Sequence, residues 1–314
     1  MANSEAIAGV HSYVLYGEET TYNTAVSTDT HFGLITSFKS SINNNMSENR
    51  GFKGTTTGGR DVVKFTAGKL EVGFNIDFKV HGWDFMEYVL GTMTGSDPYT
   101  YTGADVPTSI TVSHNIDNPG AGATDCEEVF SGCMIETVTI KSSVGEPVTC
   151  TAEVKASKLI VDTTVSGAQA LPDNDVYNFT GGSIEIPGSS TIDNIIDSVE
   201  ISIKNNVDIL YGVGSRLGQS GLPKERSYGI KITLKYLDND LITKALGAVT
   251  PTDTGSPTEN ATVILNFDSG TKGMVFTFSG VPITDFARMA ELNSVIGEDI
   301  SLTAKTLSAV EDRT

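Results

Sequence analysis

The 314 residues suffice for one large domain or two ordinary ones, and the 39% that are hydrophobic run along the whole chain, leaving no stretch polar enough to read as a disordered domain. Lys and Arg number 21 against 39 Asp and Glu, a formal charge of −18 that argues against a surface built to grip nucleic acid. No apolar run approaches the roughly 20 residues of a membrane span, and the opening MANSEAIAGVHSYVLYGEE lacks the basic and apolar regions of a secretory leader, so a soluble protein made in the cytoplasm is expected.

Taken in chain order, SFKSSINNN (Ser37–Asn45) reads as a strand and leads into a long polar loop, SENRGFKGTTTGGRDVVK (Ser47–Lys64). GFNIDFKV (Gly73–Val80) alternates apolar and polar residues with period two, the mark of a strand with one buried face. A short helix containing Trp83 follows. Asp84 is its expected N-cap, Glu87 completes a capping box, and Gly91 supplies the left-handed stop. TVSHNID (Thr111–Asp117), FSGCMIETV (from Phe130) and VGEPVTCTAEVKAS (from Val144) are further strands, and the polar run Asp162–Asp175 reads as a linker.

The same plan then repeats. SVEISIKNN (Ser198–Asn206) aligns with SFKSSINNN, GIKITLKY (Gly229–Tyr236) with GFNIDFKV, and Asp240 and Gly247 with Asp84 and Gly91. TVILNFD (from Thr262), FSGVPITDF (from Phe278) and IGEDISLTAKTLSA (from Ile296) parallel the remaining three blocks. Five blocks in one order mark an internal duplication. The expectation is a mainly β chain of two tandem sandwich domains, residues 1–165 and 166–314, each with one short flanking helix and one long loop.

No constellation of catalytic chemistry emerges. His11, His31, His81 and His114 pair with nothing at metal-ligand spacing, and Cys126, Cys133 and Cys150 form neither a CxxC pair nor an even disulfide framework. GVGSRLG (Gly212–Gly218) lacks the GxxxxGK[ST] spacing of a phosphate loop, and DNDVYN lacks the glycine and distal glutamate of a calcium loop. No enzyme activity, cofactor or metal is expected. What stands out is the pair of loops, the second being YGVGSRLGQSGLPKER (Tyr211–Arg226). They gather Arg50, Lys53, Arg60 and Lys64, then Arg216, Lys224 and Arg226, on an otherwise acidic chain, with Phe52, Val62, Leu217 and Leu222 as apolar points. Loops beyond roughly 12–15 residues are usually functional or mobile. These two are expected to be docking arms, loose in the isolated chain, that meet an acidic surface on a neighbouring copy.

YGEETTYNT (Tyr16–Thr24) resembles the G-x-E-x-T-Y-G-T opening of tail tube (major tail) proteins of long-tailed bacteriophages. Gly17, Glu19, Thr20, Tyr22 and Thr24 fit, with the glutamate shifted by one residue and Asn23 in place of the usual glycine. The closing EDISLTAKTLSAVEDRT is also similar to that family's last strand. The resemblance implies a structural virion protein, assembled in the host cytoplasm from copies of itself into stacked rings that form a hollow conduit for DNA. With two tube domains per chain, three chains would make a pseudo-hexameric ring. Ser37–Asn45, Gly73–Val80, Ser198–Asn206 and Gly229–Tyr236 would line the barrel, and the long loops would dock on the next ring. Tape-measure, tail terminator and baseplate proteins are the implied partners, and DNA passes through without specific binding. The charge of −18 leads to the expectation of a net acidic lumen. A distal tail or baseplate hub protein with duplicated tube domains is the alternative. A carbohydrate-binding sandwich would need exposed aromatic platforms, and the one tryptophan is Trp83.

Overall fold

A computed structural model describes residues 9–50, 62, 64–117, 125–163, 176–186, 195–236, 238–251, 259–268, 272–292 and 295–313. Wherever apolar residues recur with period two the chain is strand. The first half runs β1 (Ser12–Glu18), β2 (Thr30–His31), β3 (Leu34–Asn43), β4 (Ser47–Asn49), β5 (Lys64–Thr66), β6 (Glu71–Lys79), α1 (Met86–Leu90), β7 (Gly91–Thr94), β8 (Tyr99–Gly103), β9 (Ile110–Ile116), β10 (Cys126–Ser143), β11 (Thr149–Ala156) and β12 (Lys158–Asp162). The second half runs β13 (Asn178–Glu185), β14 (Ile196–Lys204), β15 (Asp208–Tyr211), β16 (Gly218–Leu222), β17 (Ser227–Lys235), α2 (Asp240–Leu246), β18 (Glu259–Asp268), β19 (Gly273–Met289), β20 (Gly297–Ala304) and β21 (Thr306–Asp312).

One antiparallel sheet runs through both halves in the order β3-β6-β11-β10-β14-β17-β20-β19. Behind it lie a first-half sheet, β2-β1-β9-β10-β12, and a sheet of second-half strands extended by the first-half hairpin β7–β8, in the order β13-β18-β19-β21-β8-β7. The strands β10 and β19, 18 and 17 residues long, each serve two sheets. They turn from one to the other at Gly132 and Gly280, whose φ values of 62° and 64° lie in the left-handed region that a side chain disfavours. A Cβ on Gly132 would also sit 2.9 Å from Ser157 Cβ.

The central sheet presents its first four strands and its last four in matching order. Register breaks fall between Ile35 and Ser37 and between Ile196 and Ser198, then between Ile135 and Thr137 and between Ile283 and Asp285. Left-handed Asn45 and Asn206 close β3 and β14, with φ of 42° and 47°. Thr151 Oγ1 donates to Asp77 at 2.6 Å, and Thr233 Oγ1 to Asp299 at 2.7 Å, the same cross-strand bond with the roles exchanged. One sequence block is out of register. Lys155 lies opposite Gly73 and Thr303 opposite Gly229, so β11 and β20 correspond four residues away from the match of Val144 with Ile296. A four-residue slip leaves period-two alternation intact, which is why the residue pattern hides it.

The helices also depart from expectation. Gly91 and Gly247 do end them in left-handed conformation, but neither N-cap makes a side-chain bond. The Asp84 carboxylate pairs with Arg313 instead, and the residue at the cap is Phe85, so the capping box with Glu87 does not form. Asp240 is the first helical residue, after Asn239. Trp83 precedes α1 and is wholly buried, against Tyr177, Phe267 and Phe276 with ring centroids 5.3–6.2 Å apart. A residue of the first half is thereby packed into the second. Most of the linker Asp162–Asp175 lies outside the described residues.

Candidate assembly interface

The joint between the halves is a strand pairing. β10 meets β14 from Thr137 opposite Lys204 to Ser143 opposite Ser198. On the inner face Val138, Ile140, Ile201 and Ile203 are at most 1% exposed, and full burial of such side chains stabilises by about 1.5–3 kcal/mol each. On the outer face Lys141 Nζ lies 3.0 Å from Glu200. α1 seals the joint from behind with Met86, Val89 and Leu90 at 0% exposure.

A buried amide spans the joint. Asn205 Nδ2 donates to the carbonyls of Val89 and Ile135, both at 3.0 Å. Its Oδ1 accepts from Arg226 Nε at 2.8 Å, and Arg226 Nη2 donates to Ala104 O at 2.9 Å. Buried amides need such partners, because an unmet donor or acceptor costs about 1–3 kcal/mol.

The same sheet ends in two bare edges. β3 pairs only with β6, and the part of β19 beyond Ile283 only with β20, among the described residues. The edges carry Ile42 and Met289, 53% and 63% exposed. The helix beside the second edge is also less covered. In α2, Ile242 and Ala245 are half-buried and Leu246 is exposed, whereas their α1 counterparts are buried. Unpaired edges of this kind are templates for another chain unless blocked.

The open face of the central sheet carries little net charge. The strands expected to line a lumen, with their neighbours, carry Lys39, Lys79, Lys141, Lys155, Lys204, Lys231 and Lys235 there. Against these seven lysines stand eight carboxylates: Glu71, Asp77, Glu136, Glu153, Asp197, Glu200, Asp285 and Asp299. Lys155 pairs with Glu136 at 2.7 Å and Lys235 with Asp197 at 3.2 Å. Between the charges stand hydroxyls, among them Thr137, Thr139, Thr151, Ser202 and Thr303. The face is polar and nearly neutral, so the charge of −18 resides almost wholly elsewhere on the chain.

The long loops divide. In the first, Phe52, Lys53 and Arg60 lie outside the described residues, while Arg50 pairs with Glu48 at 2.7 Å and Lys64 is exposed on β5. The second is a hairpin, β15–β16, folded onto the first half of its own chain. Arg216 donates to Gly68 O and to Asn44 Oδ1, both at 2.9 Å, and Tyr211 Oη to Leu70 O at 3.0 Å. Lys224 pairs with Asp208, Leu217 is half-buried and Leu222 is exposed. Arg226 belongs to the buried joint, not to a loop tip. Four of the expected docking cations, Arg50, Arg216, Lys224 and Arg226, are therefore engaged within the chain.

The YGEETTYNT stretch anchors this arrangement. Glu19, 3% exposed, accepts from Ser109, Thr111 and the backbone N–H groups of Asn23 and Gly132 at 2.7–2.9 Å. Tyr22 Oη lies 2.5 Å from Ser157 Oγ, whose backbone carbonyl receives the N–H of Gly218 in the hairpin. Gly17 passes so close to Ser27 O that no side chain fits. Among the described residues no group of three or more His, Cys, Asp or Glu is placed to hold a metal ion, and no helix is long and apolar enough to cross a membrane.

The sequence pattern of the family described as phage tail tube protein matches residues 9–304. Compared with curated proteins, the chain gives no significant match. The chain belongs to the phage tail tube protein family, structural components of the virion tail.

Proposed function

We propose that this phage tail tube protein carries two tandem tube domains, residues 1–165 and 166–314, and that three chains close a pseudo-hexameric ring through the bare edges of the central sheet. The rings stack into the conduit that delivers DNA. The observation that carries this reading is the β10–β14 joint. It joins the fourth strand of one set to the first strand of an equivalent set, and the molecule ends in one free strand of each kind. The edge of β19 in one chain then pairs with β3 of the next, as β10 pairs with β14 within a chain, and the pairing repeats until the ring closes.

Register follows from this equivalence. Ser202 opposite Thr139 translates into Ser41 opposite Ala287, and Ile203 opposite Val138 into Ile42 opposite Phe286. The exposed Ile42 thereby gains an apolar neighbour. The open face lines the lumen, where carboxylates match lysines almost one for one and hydroxyls stand between them, so a phosphate backbone meets little net positive charge. Stacking is left to the first loop, with Arg50, Phe52, Lys53, Arg60 and Lys64, and to exposed points of the second such as Leu222. Tape-measure protein occupies the lumen before DNA, and terminator and baseplate proteins meet the ends of the tube.

The test is a pair of cysteines, Ser41→Cys with Ala287→Cys, in a Cys126→Ser background. Directly opposed strand residues have Cα atoms about 4.5–5.5 Å apart, within disulfide reach. Oxidation with diamide should give covalent dimers and trimers and nothing larger. Shifting one cysteine to Arg288 should abolish the product. Equal cross-linking in both registers, or ladders running to hexamers, would refute the arrangement. Electron microscopy of the same material separates a tube from the single ring expected of a hub.

A further inference from the structure

The buried joint contains an amide that the open edge repeats. Asn205 follows β14 as Asn44 follows β3, since Val199 and Phe38 face equivalent residues, Ile232 and Ile76, and left-handed Asn206 and Asn45 come next. By the same equivalence the carbonyls that Asn205 engages, those of Val89 and Ile135, correspond to those of Ala245 and Ile283. These sit beside the bare edge of β19.

Asn44 is already oriented for the role. Its Oδ1 accepts from Arg216 at 2.9 Å, just as Asn205 Oδ1 accepts from Arg226 at 2.8 Å. The position equivalent to Arg226 is Leu70, so the guanidinium reaches Asn44 from a different place, the tip of the β15–β16 hairpin. Among the described residues Asn44 Nδ2 donates to nothing, and the residue is exposed, whereas Asn205 is 2% exposed with both Nδ2 hydrogens used. One half thus shows the completed arrangement and the other the same arrangement lacking its acceptors.

We propose that Asn44 is the polar staple of the interface between chains. Its Nδ2 donates to the carbonyls of Ala245 and Ile283 of the next chain, and Arg216 is the positioning residue that holds it. This rests on the ring reading above and adds to it the group that selects the partner and its register. A second copy of this chain is the occupant, because only there do two carbonyls stand at the required place beside a strand in the matching register.

The test uses Asn44→Asp in the full chain. The carboxylate keeps the size of the amide and its bond to Arg216 but has no hydrogens for the carbonyls. Asn205→Asp is the comparison. The expected result is an unchanged melting temperature for the unassembled Asn44→Asp protein and about a tenfold or greater rise in the concentration needed for assembly. Asn205→Asp should instead lower the melting temperature of the single chain. If wild type assembles and Asn44→Asp assembles at the same concentration, the staple is wrong and the ring reading stands. If Asn44→Asp lowers the melting temperature as Asn205→Asp does, Asn44 is part of the fold and the staple is again wrong. If wild type forms no rings at any concentration, the ring reading fails and the staple with it.

Discussion

Replacing Glu19 by glutamine would test whether the YGEETTYNT stretch is a structural clamp. Oε1 receives Thr111 Oγ1 and Gly132 N, and Oε2 receives Ser109 Oγ and Asn23 N. Glutamine turns one of these oxygens into an NH2 group. A serine or threonine hydroxyl can rotate to accept from it, but a backbone N–H cannot. Whichever way the amide points, one backbone donor, buried Gly132 N or half-buried Asn23 N, loses its acceptor, at a cost of about 1–3 kcal/mol. For 314 residues unfolding as one unit, at about 2.1 cal/mol/K per residue, that is a fall in melting temperature of about 2–5 °C. Glu19→Ala strands both backbone donors and should fall further. Differential scanning calorimetry of the unassembled chain is the assay. A Glu19→Gln protein melting within about 1 °C of wild type, or an alanine variant no worse than the glutamine one, would refute the argument.

Two further outcomes are expected. Burial pushes the His81 imidazole below its ordinary 6.5, so between that lowered value and 6.5 the unfolded chain binds the extra proton. Stability should therefore fall as pH drops through 6.5 and level off below the folded value, and His81→Phe should flatten that limb of a melting curve series from pH 8 to 5; equal slopes would refute it. On the open face, Glu153→Lys with Glu200→Lys turns a near balance of seven lysines and eight carboxylates into a cationic surface. Assembled tubes of that variant should retain duplex DNA at low salt and release it as salt rises, with wild type retaining none; retention by wild type as strong as by the variant would overturn the neutral-conduit mechanism.

Local requirements were legible in the residues. Alternation identified the strands, and Gly91 and Gly247 marked the left-handed ends of both helices. Features set by distant parts of the chain were hidden. Asp84 looks like an N-cap until Arg313, 229 residues on, takes its carboxylate. Net charge says nothing of where charge sits: on the open face of the central sheet lysines and acids alternate across neighbouring strands, leaving a single carboxylate in excess. Arg216 and Arg226 look like free loop cations, yet both donate to asparagines of their own chain. The asparagines themselves were visible, since SINNN and SIKNN align, but an amide shows its purpose only when the carbonyls it meets are known.

The two halves differ in a way that bears on assembly. The joint within the chain has Val89 behind it, Arg226 bridging it and Trp83 packed across it. The corresponding positions at the open edges are Ala245, Leu70 and Asn239; Ala245 and Asn239 offer less apolar area than Val89 and Trp83, while Arg216 takes the place of Arg226. Fusion also removes the loss of translational and rotational freedom from every second joint, a term of about 4–15 kcal/mol per association. In the ring proposed above, a chain so built would keep one joint permanently closed and leave the other the weaker of the two. Rings would then form where several open joints close together or where an existing ring holds the chains side by side. A tube under that condition would lengthen from its end instead of nucleating throughout solution. Strengthening the open joint should remove the condition: Ala245→Val, which restores the apolar body found at Val89, should let the protein polymerise without a seed at concentrations where wild type stays unassembled. A variant that still waited for a seed would show that the delay is set elsewhere, in the stacking loops.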